Sequence, residues 1–367
     1  MNEVLDLAKM ADDDGWYCFW YADHYMENTG DESMKPGPVH ECWTVLPAVA
    51  AVTQRVRLGP LVSPTSVHHP ALLANRAGTL DQLSNGRFVL GLGAGWQINE
   101  HAAYGIELEA PGTRVGRFEE SIQIIESLLA NDHTTFKGNF YEFTDAPCEP
   151  KPVQSPLPIA VGTGSPRMLK ITARHATDWN TWGAPELAAE RHADFVGACE
   201  SVGVDAAAKH TSVQAMFFLD GDVAKIAASL VASRSIAGSN EQIIDALGQY
   251  AAIGFKEVIV PDFTLGGTAE ERLDAYARFR DDAGNETVPV SDTISLDTLA
   301  PTGGLLIEQG APYTNALVVT LTLTVNEPFE MRIWADGTED EPWVPVAGTT
   351  LATLPSGDGV ATVRVRF

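Results

Sequence analysis

Leu80-Asp81-Gln82-Leu83-Ser84-Asn85-Gly86-Arg87-Phe88-Val89-Leu90-Gly91-Leu92-Gly93-Ala94-Gly95-Trp96 holds a helix end, a turn, a strand and a glycine-rich loop in one short stretch. Asn85-Gly86 is a turn dipeptide, because both residues tolerate positive φ. Arg87 to Leu92 is apolar after its first residue and too short for a helix, which marks a strand buried on both faces. Gly91, Gly93 and Gly95 then alternate at the strand's end. Without side chains there, a backbone can approach a flat ring, and Trp96 can stack on it or wall it in. A tight loop around one core Trp would look the same. Helix, turn, buried strand and loop together make one unit of a parallel sheet.

The same grammar runs outward from Val4 to Ala275. Strands are predicted at 17–21, 56–62, 87–92, 157–161, 176–182, 212–219 and 257–260. Between them fall a first helix ending near Gly15 and helices over 47–53, 70–83, 117–129, 168–175, 185–202, 241–252 and 269–279. Helix 70–83 sets Leu72, Leu73, Ala77 and Leu80 on one face, and helix 117–129 carries Phe118, Ile122, Ile125 and Leu129 at helical spacing. Residues 133–157 form an excursion of short strands and prolines. Seven strands are one fewer than an eight-stranded βα barrel needs. After about residue 280 the pattern changes: Val319, Leu321, Leu323 and Val325 alternate with threonines, and Val363, Val365 and Phe367 alternate with Thr362, Arg364 and Arg366. That is strict period two, a small all-β module.

Composition bounds the function. The chain has 367 residues, 45% hydrophobic and 20% charged, enough for a sizeable core. Its net charge of −25 comes from 49 acidic against 24 basic side chains, so neither nucleic acid nor an anionic membrane surface is an expected partner. No apolar run is long enough to span a bilayer, and the acidic start lacks the features of a signal peptide. A cytoplasmic location is expected. Cys18, Cys42, Cys148 and Cys199 show neither a CxxC pair nor a metal-ligand spacing, so no metal is expected.

In a βα barrel, chemistry sits where strands end. Asp23-His24 directly follows the first predicted strand, and a carboxylate beside an imidazole can bind a hydroxyl and accept its proton; a capping Asp and a packing His would read alike. Gly162-Thr163-Gly164-Ser165 opens a helix after the strand at 157–161, and backbone amides with two hydroxyls make an anion site suited to a cofactor phosphate. A plain capping turn uses the same residues. Gly59-Pro60-Leu61-Val62-Ser63-Pro64-Thr65 reads as an irregular strand end, and His68-His69 as loop residues lacking a third metal ligand.

These segments resemble the luciferase-like monooxygenase superfamily, in its branch of coenzyme F-420-dependent oxidoreductases. The resemblance rests on Trp20-Tyr21-Ala22-Asp23-His24, Arg55-Val56-Arg57-Leu58-Gly59, His69-Pro70-Ala71-Leu72-Leu73-Ala74, Leu80 to Arg87, Gly91 to Trp96, Pro150-Lys151-Pro152-Val153-Gln154 and Ala176-Thr177-Asp178-Trp179-Asn180. It covers residues 2–275. It implies an α/β fold with a TIM-like barrel and a cofactor ring at the C-terminal strand ends. A non-proline cis peptide supporting the ring matches Leu61-Val62, with Thr65 following. The glycine loop Gly93-Ala94-Gly95-Trp96 and Asn99 lie along the cofactor, and its phosphate sits at Gly162-Thr163-Gly164-Ser165. His24, with Asp23, becomes the proton acceptor as hydride passes between the cofactor and a small organic substrate. The family's glucose-6-phosphate dehydrogenases carry an acid where Trp96 stands, which argues against that substrate.

The resemblance also places Met1 at the family's first helix, so a (β/α)8 barrel lacking its first strand is expected over 1–280. A linker over 281–300 and a small immunoglobulin-like β sandwich over 301–367 follow, the latter from Ala283-Gly284-Asn285, Asp297 to Thr302 and Tyr313-Thr314-Asn315. A homodimer through helix 70–83 is a further expectation. Two alternatives stay open: an FMN-dependent monooxygenase, since the same barrel takes either ring, and a non-catalytic relic, which the missing strand keeps in play.

Overall fold

The computed structural model describes residues 1–28, 37–219, 221, 223–229 and 231–277, and the backbone of strands between 303 and 366. The chain divides into an N-terminal unit, through Arg278, and a C-terminal unit. The first begins with α1 (Asn2–Asp13), β1 (Cys18–Tyr21), α2 (Cys42–Val52) and β2 (Arg57–Pro60). The line of β2 resumes after Leu61-Val62 as β3 (Ser63–Pro64). Then come α3 (Pro70–Leu83), β4 (Leu90–Gly93), α4 (Ile98–Tyr104), α5 (Pro111–Ala130) and a hairpin of β5 (His133–Lys137) and β6 (Glu142–Pro147). The alternation continues with β7 (Ile159–Gly162), α6 (Pro166–His175), β8 (Asp178–Trp182), α7 (Pro185–Ser201), β9 (His210–Gln214) and β10 (Met216–Leu219). It ends with α8 (Val223–Ala227), β11 (Ser235–Gly238), α9 (Asn240–Ile253), β12 (Glu257–Ile259) and α10 (Ala269–Ala277).

Pairing is parallel and almost sequential. β1 pairs with β2, β3 with β4, β4 with β7, β7 with β8, β8 with β9, and β9 with β12. A bridge between Leu58 and Phe88 ties β2 to the lead-in of β4. With β2 and β3 counted as one interrupted line, seven strands run side by side, the number read from the sequence. The stretch expected as one strand over 212–219 is instead split into β9 and β10, and β10 turns away to pair with β11. Among the described residues, β1 and β12 are the ends of this run. Trp20 on β1 reaches β12, where its Nε1 donates to Glu257 Oε1 across 2.7 Å, and Tyr17, just ahead of β1, stacks on His210 of β9 at 5.4 Å.

The helices cover the sheet with the faces their spacing dictates. On α5, Phe118, Ile122, Ile125 and Leu129 are all buried. On α3, Leu73, Ala77 and Leu80 are buried but Leu72 is 57% exposed, a correction to the predicted face. α2 starts earlier than expected, at Cys42, because Glu41 caps it by accepting from Trp43 N and Thr44 Oγ1. Its far end is closed by Arg87, whose guanidinium donates to the Ala50, Thr53 and Val56 carbonyls and to Thr53 Oγ1. One cation thus satisfies carbonyls the helix leaves open, as the helix dipole favours.

The C-terminal unit contains β13 (Gly303–Ile307), β14 (Val318–Val325), β15 (Glu330–Ala335), β16 (Val344–Pro345), β17 (Thr349–Thr353) and β18 (Val363–Arg366). They form two antiparallel sheets, β13-β14-β17 and β16-β15-β18. The period-two segments thus fall on β14 and β18. The 281–300 linker, and the side-chain packing on which an immunoglobulin-like sandwich would rest, lie outside the described residues.

Candidate active site

A cavity of about 280 Å³ opens at the C-terminal ends of β3, β4 and β7. That is near the low end of ligand pockets, about 300–1,000 Å³, so it suits a flat ring and a small substrate. Of the sequence candidates it gathers His24, Val62, Gly93, Ala94, Gly95, Trp96, Gly162, Thr163 and Ser165; Pro64, Glu100, Pro111, Arg114, Val115 and Met168 complete the wall. Asp23, Leu61, Thr65, Asn99 and Gly164 are not part of its lining.

His24 stands on the loop after β1, 22% exposed at its side chain. Its Nδ1 lies 3.1 Å from Glu100 Oε1, and Trp96 meets the ring edge-on with centroids 5.6 Å apart. Glu100 is 2% exposed and accepts the Tyr25 backbone N–H at its other oxygen, at 3.1 Å. Helix α4, which carries Glu100, is pinned on both sides. Gln97 Nε2 donates to the Met26 carbonyl and Asn99 Nδ2 to that of Glu27, while His101 lies between the Gln97 carbonyl and Ser66 Oγ.

Asp23 does not partner its neighbour His24. It is fully buried, and its Oδ2 accepts from Ser63 Oγ at 2.5 Å, His68 Nε2 at 2.9 Å and Trp43 Nε1 at 3.0 Å. Burial alone would raise its pKa, but the bonds from His68, Ser63 and Trp43 outweigh it and hold the carboxyl below its usual range. Trp43 Nε1 also donates to Ser63 Oγ, at 3.0 Å. His69, the other loop histidine, caps α3 by accepting from Ala71 N. Two buried polar atoms among these segments find no partner among the described residues, Asp23 Oδ1 and Thr65 Oγ1. Buried polar atoms are rarely left so, and neither residue lines the cavity.

Leu61-Val62 is a cis, non-proline peptide. It turns Val62 inward, and glycines close around it. A Cβ on Gly93 would stand 2.7 Å from Val62 Cγ2, and one on Gly91 would collide with the Pro60 carbonyl oxygen. Gly95 has φ +93°, and a Cβ there would strike Ser66 Oγ. Gly162 is different: its Cβ would make ordinary contact with Val62 Cγ1 at 3.4 Å. Gly91→Ala is therefore expected to cost about 1–3 kcal/mol through overpacking against backbone, whereas Gly162→Ala should stay within about 0.5 kcal/mol. Paired thermal melts check this, and equal losses would contradict the packing argument.

On the opposite wall, α6 begins at Pro166 with Ser165 as N-cap but no side-chain cap bond. The free amides of its first turn begin at Arg167, since Pro166 has none, and Thr163, Ser165, Met168 and Arg114 of α5 line the cavity in this region. Uncapped amides plus a guanidinium attract an anion. Among the described residues no group of His, Cys, Asp or Glu is arranged to hold a metal, and no helix is long and apolar enough to cross a membrane.

The sequence model of the luciferase-like monooxygenase family matches residues 1–230. The chain belongs to this family. Among its luciferase-like relatives, the F420-dependent glucose-6-phosphate dehydrogenase of Amycolatopsis mediterranei is 35% identical over 174 residues, covering 47% of this chain and 51% of the relative. The chain thus spans about half the length of that enzyme. The 5,10-methylenetetrahydromethanopterin reductase of Archaeoglobus fulgidus is 28% identical over 284 residues, 72% of this chain and 76% of the relative. Among solved structures, an F420-dependent secondary alcohol dehydrogenase, in complex with an F420-acetone adduct, superposes with a TM-score of 0.63. It is 18% identical, with 76% of this chain and 94% of that one covered.

Sequence reasoning missed two charged residues that line this cavity, Glu100 and Arg114. Glu100 lies on α4, a seven-residue helix that ends on a left-handed Gly105 but whose N-cap, Gln97, makes no side-chain cap bond. Arg114 lies in the first turn of α5, three residues ahead of the stretch where periodicity became readable.

Proposed function

We propose that the chain is a coenzyme F-420-dependent oxidoreductase acting on a small, uncharged alcohol or its carbonyl product. The observation that carries this is one cavity bringing together His24, the inward Val62 of the cis segment and the uncapped start of α6. The deazaflavin, when bound, supplies a hydride acceptor. Val62 and the glycines at 93, 95 and 162 would lie against its ring. The amides of α6, Thr163, Ser165 and Arg114 would hold its phosphate. His24, whose Nε2 has no partner among the described residues, would take the substrate's hydroxyl proton as the carbon gives up hydride, leaving a carbonyl. Val62, Pro64, Ala94, Trp96, Val115 and Met168 keep the remaining wall apolar, which favours an uncharged substrate. The relatives' chemistry supports the deazaflavin over FMN.

Fluorescence titration of the purified protein with F-420 and with FMN tests this. F-420 should bind at least about tenfold tighter than FMN, a difference of about 1.4 kcal/mol. A preference for FMN would favour the monooxygenase reading, and binding of neither would overturn both.

A further inference from the structure

We infer that Glu100 is a positioning residue that fixes the tautomer of His24, leaving Nε2 as a lone pair aimed at the substrate; this rests on the reading of His24 as proton acceptor. An ionised carboxylate accepts hydrogen bonds but has none to donate. Glu100 Oε1, 3.1 Å from Nδ1, therefore requires the proton of the neutral ring to sit on Nδ1. The hydrogen bond at one ring nitrogen decides the state of the other. Glu100 is itself fixed: its second oxygen holds the Tyr25 N–H, the residue is 2% exposed, and α4 is tied to the 26–27 backbone by Gln97 and Asn99. The remaining charged neighbours leave this pairing alone. Asp23 is committed to Ser63, His68 and Trp43, Trp96 meets the His24 ring edge-to-face, and Arg114 lines the same cavity with no ion pair to Glu100 among the described residues. The proton path then balances. The hydroxyl O–H bond breaks, its proton goes to Nε2, the C–H pair leaves as hydride to the deazaflavin, and a C=O bond forms.

Glu100→Gln separates positioning from mere packing. It keeps the shape and can keep an oxygen on the Tyr25 N–H, but then turns an NH₂ toward Nδ1. Nδ1 must become the acceptor, and the ring proton moves to Nε2. Nitrogen-15 NMR of histidine-labelled protein, at a pH where the ring is neutral and with His24→Asn for assignment, reads the tautomer directly. The expected result is Nδ1–H in the wild type and Nε2–H in E100Q, with turnover of the alcohol down about 100-fold. F-420 affinity should stay within about threefold, or about 0.7 kcal/mol. An Nε2–H ring in the wild type, which needs no variant to fold, would overturn the proposal, as would an unchanged tautomer in E100Q. If neither protein bound F-420 while the tautomer still flipped, the cofactor reading would fall and the Glu100 assignment would stand.

Discussion

His24→Asn is expected to lower turnover of the alcohol substrate by about 10²–10⁴-fold, the usual contribution of a positioned acid–base group. The asparagine amide can still donate to Glu100 Oε1 in place of Nδ1–H, so the loop after β1 keeps its anchor. What vanishes is the atom corresponding to Nε2, which has no partner among the described residues, on a side chain that lines the cavity. The loss should fall on kcat, because proton acceptance matters only as the hydroxyl gives up its proton. F-420 affinity should change by less than about threefold, since ring and phosphate are assigned to Val62, the glycine loop and α6. Stopped-flow reduction of F-420 in wild type and variant measures this. Turnover within about tenfold of wild type would remove His24 from the chemistry.

The sequence disclosed the barrel better than the site, and the reason is physical. A strand buried on both faces must be apolar throughout, so Phe88 to Leu92 and Leu157 to Val161 announce themselves whatever they pack against. The glycine loop was equally legible, since Gly91 and Gly95 stand where a Cβ would meet Pro60 and Ser66. The missed helix is the counterexample. α4 has seven residues, exposes Ile98 and Tyr104, and is held by side-chain bonds to a loop some 70 residues away rather than by a buried stripe. No local period could betray it, and Glu100 was hidden with it. Asp23 and His24 mislead for the opposite reason. They are adjacent in sequence, yet side chains of neighbouring residues on a chain leaving a strand tend to point apart. Asp23 lies fully buried among Ser63, His68 and Trp43, while His24 lines the cavity and pairs with a residue 76 positions later.

That division of labour makes Asp23 the second position where one substitution should have a large effect, on stability before chemistry. Asp23→Ala removes the acceptor of Ser63 Oγ and His68 Nε2, while Trp43 Nε1 keeps only its bond to Ser63 Oγ. Each buried donor left unsatisfied costs about 1–3 kcal/mol, and breaking a buried charged network typically costs about 3–5 kcal/mol. Since the residue is fully buried, solvent does not screen the loss. At about 2–4 °C per kcal/mol for a domain of this size, the melting temperature should fall by about 10 °C. The pH dependence carries a separate signature. The bonds from His68, Ser63 and Trp43 hold the folded pKa of Asp23 below its unfolded value, about 3.9. A depressed acid stabilises the fold above the unfolded pKa, and that stabilisation is lost as pH falls through the folded one. Wild-type stability should therefore drop below about pH 4 more steeply than that of Asp23→Ala, and the two curves should converge in acid. Denaturation at neutral and acidic pH tests both effects. A melting temperature at neutral pH within about 2 °C of wild type, less than about 1 kcal/mol, would mean that water or a shifted side chain replaces the carboxylate at no cost.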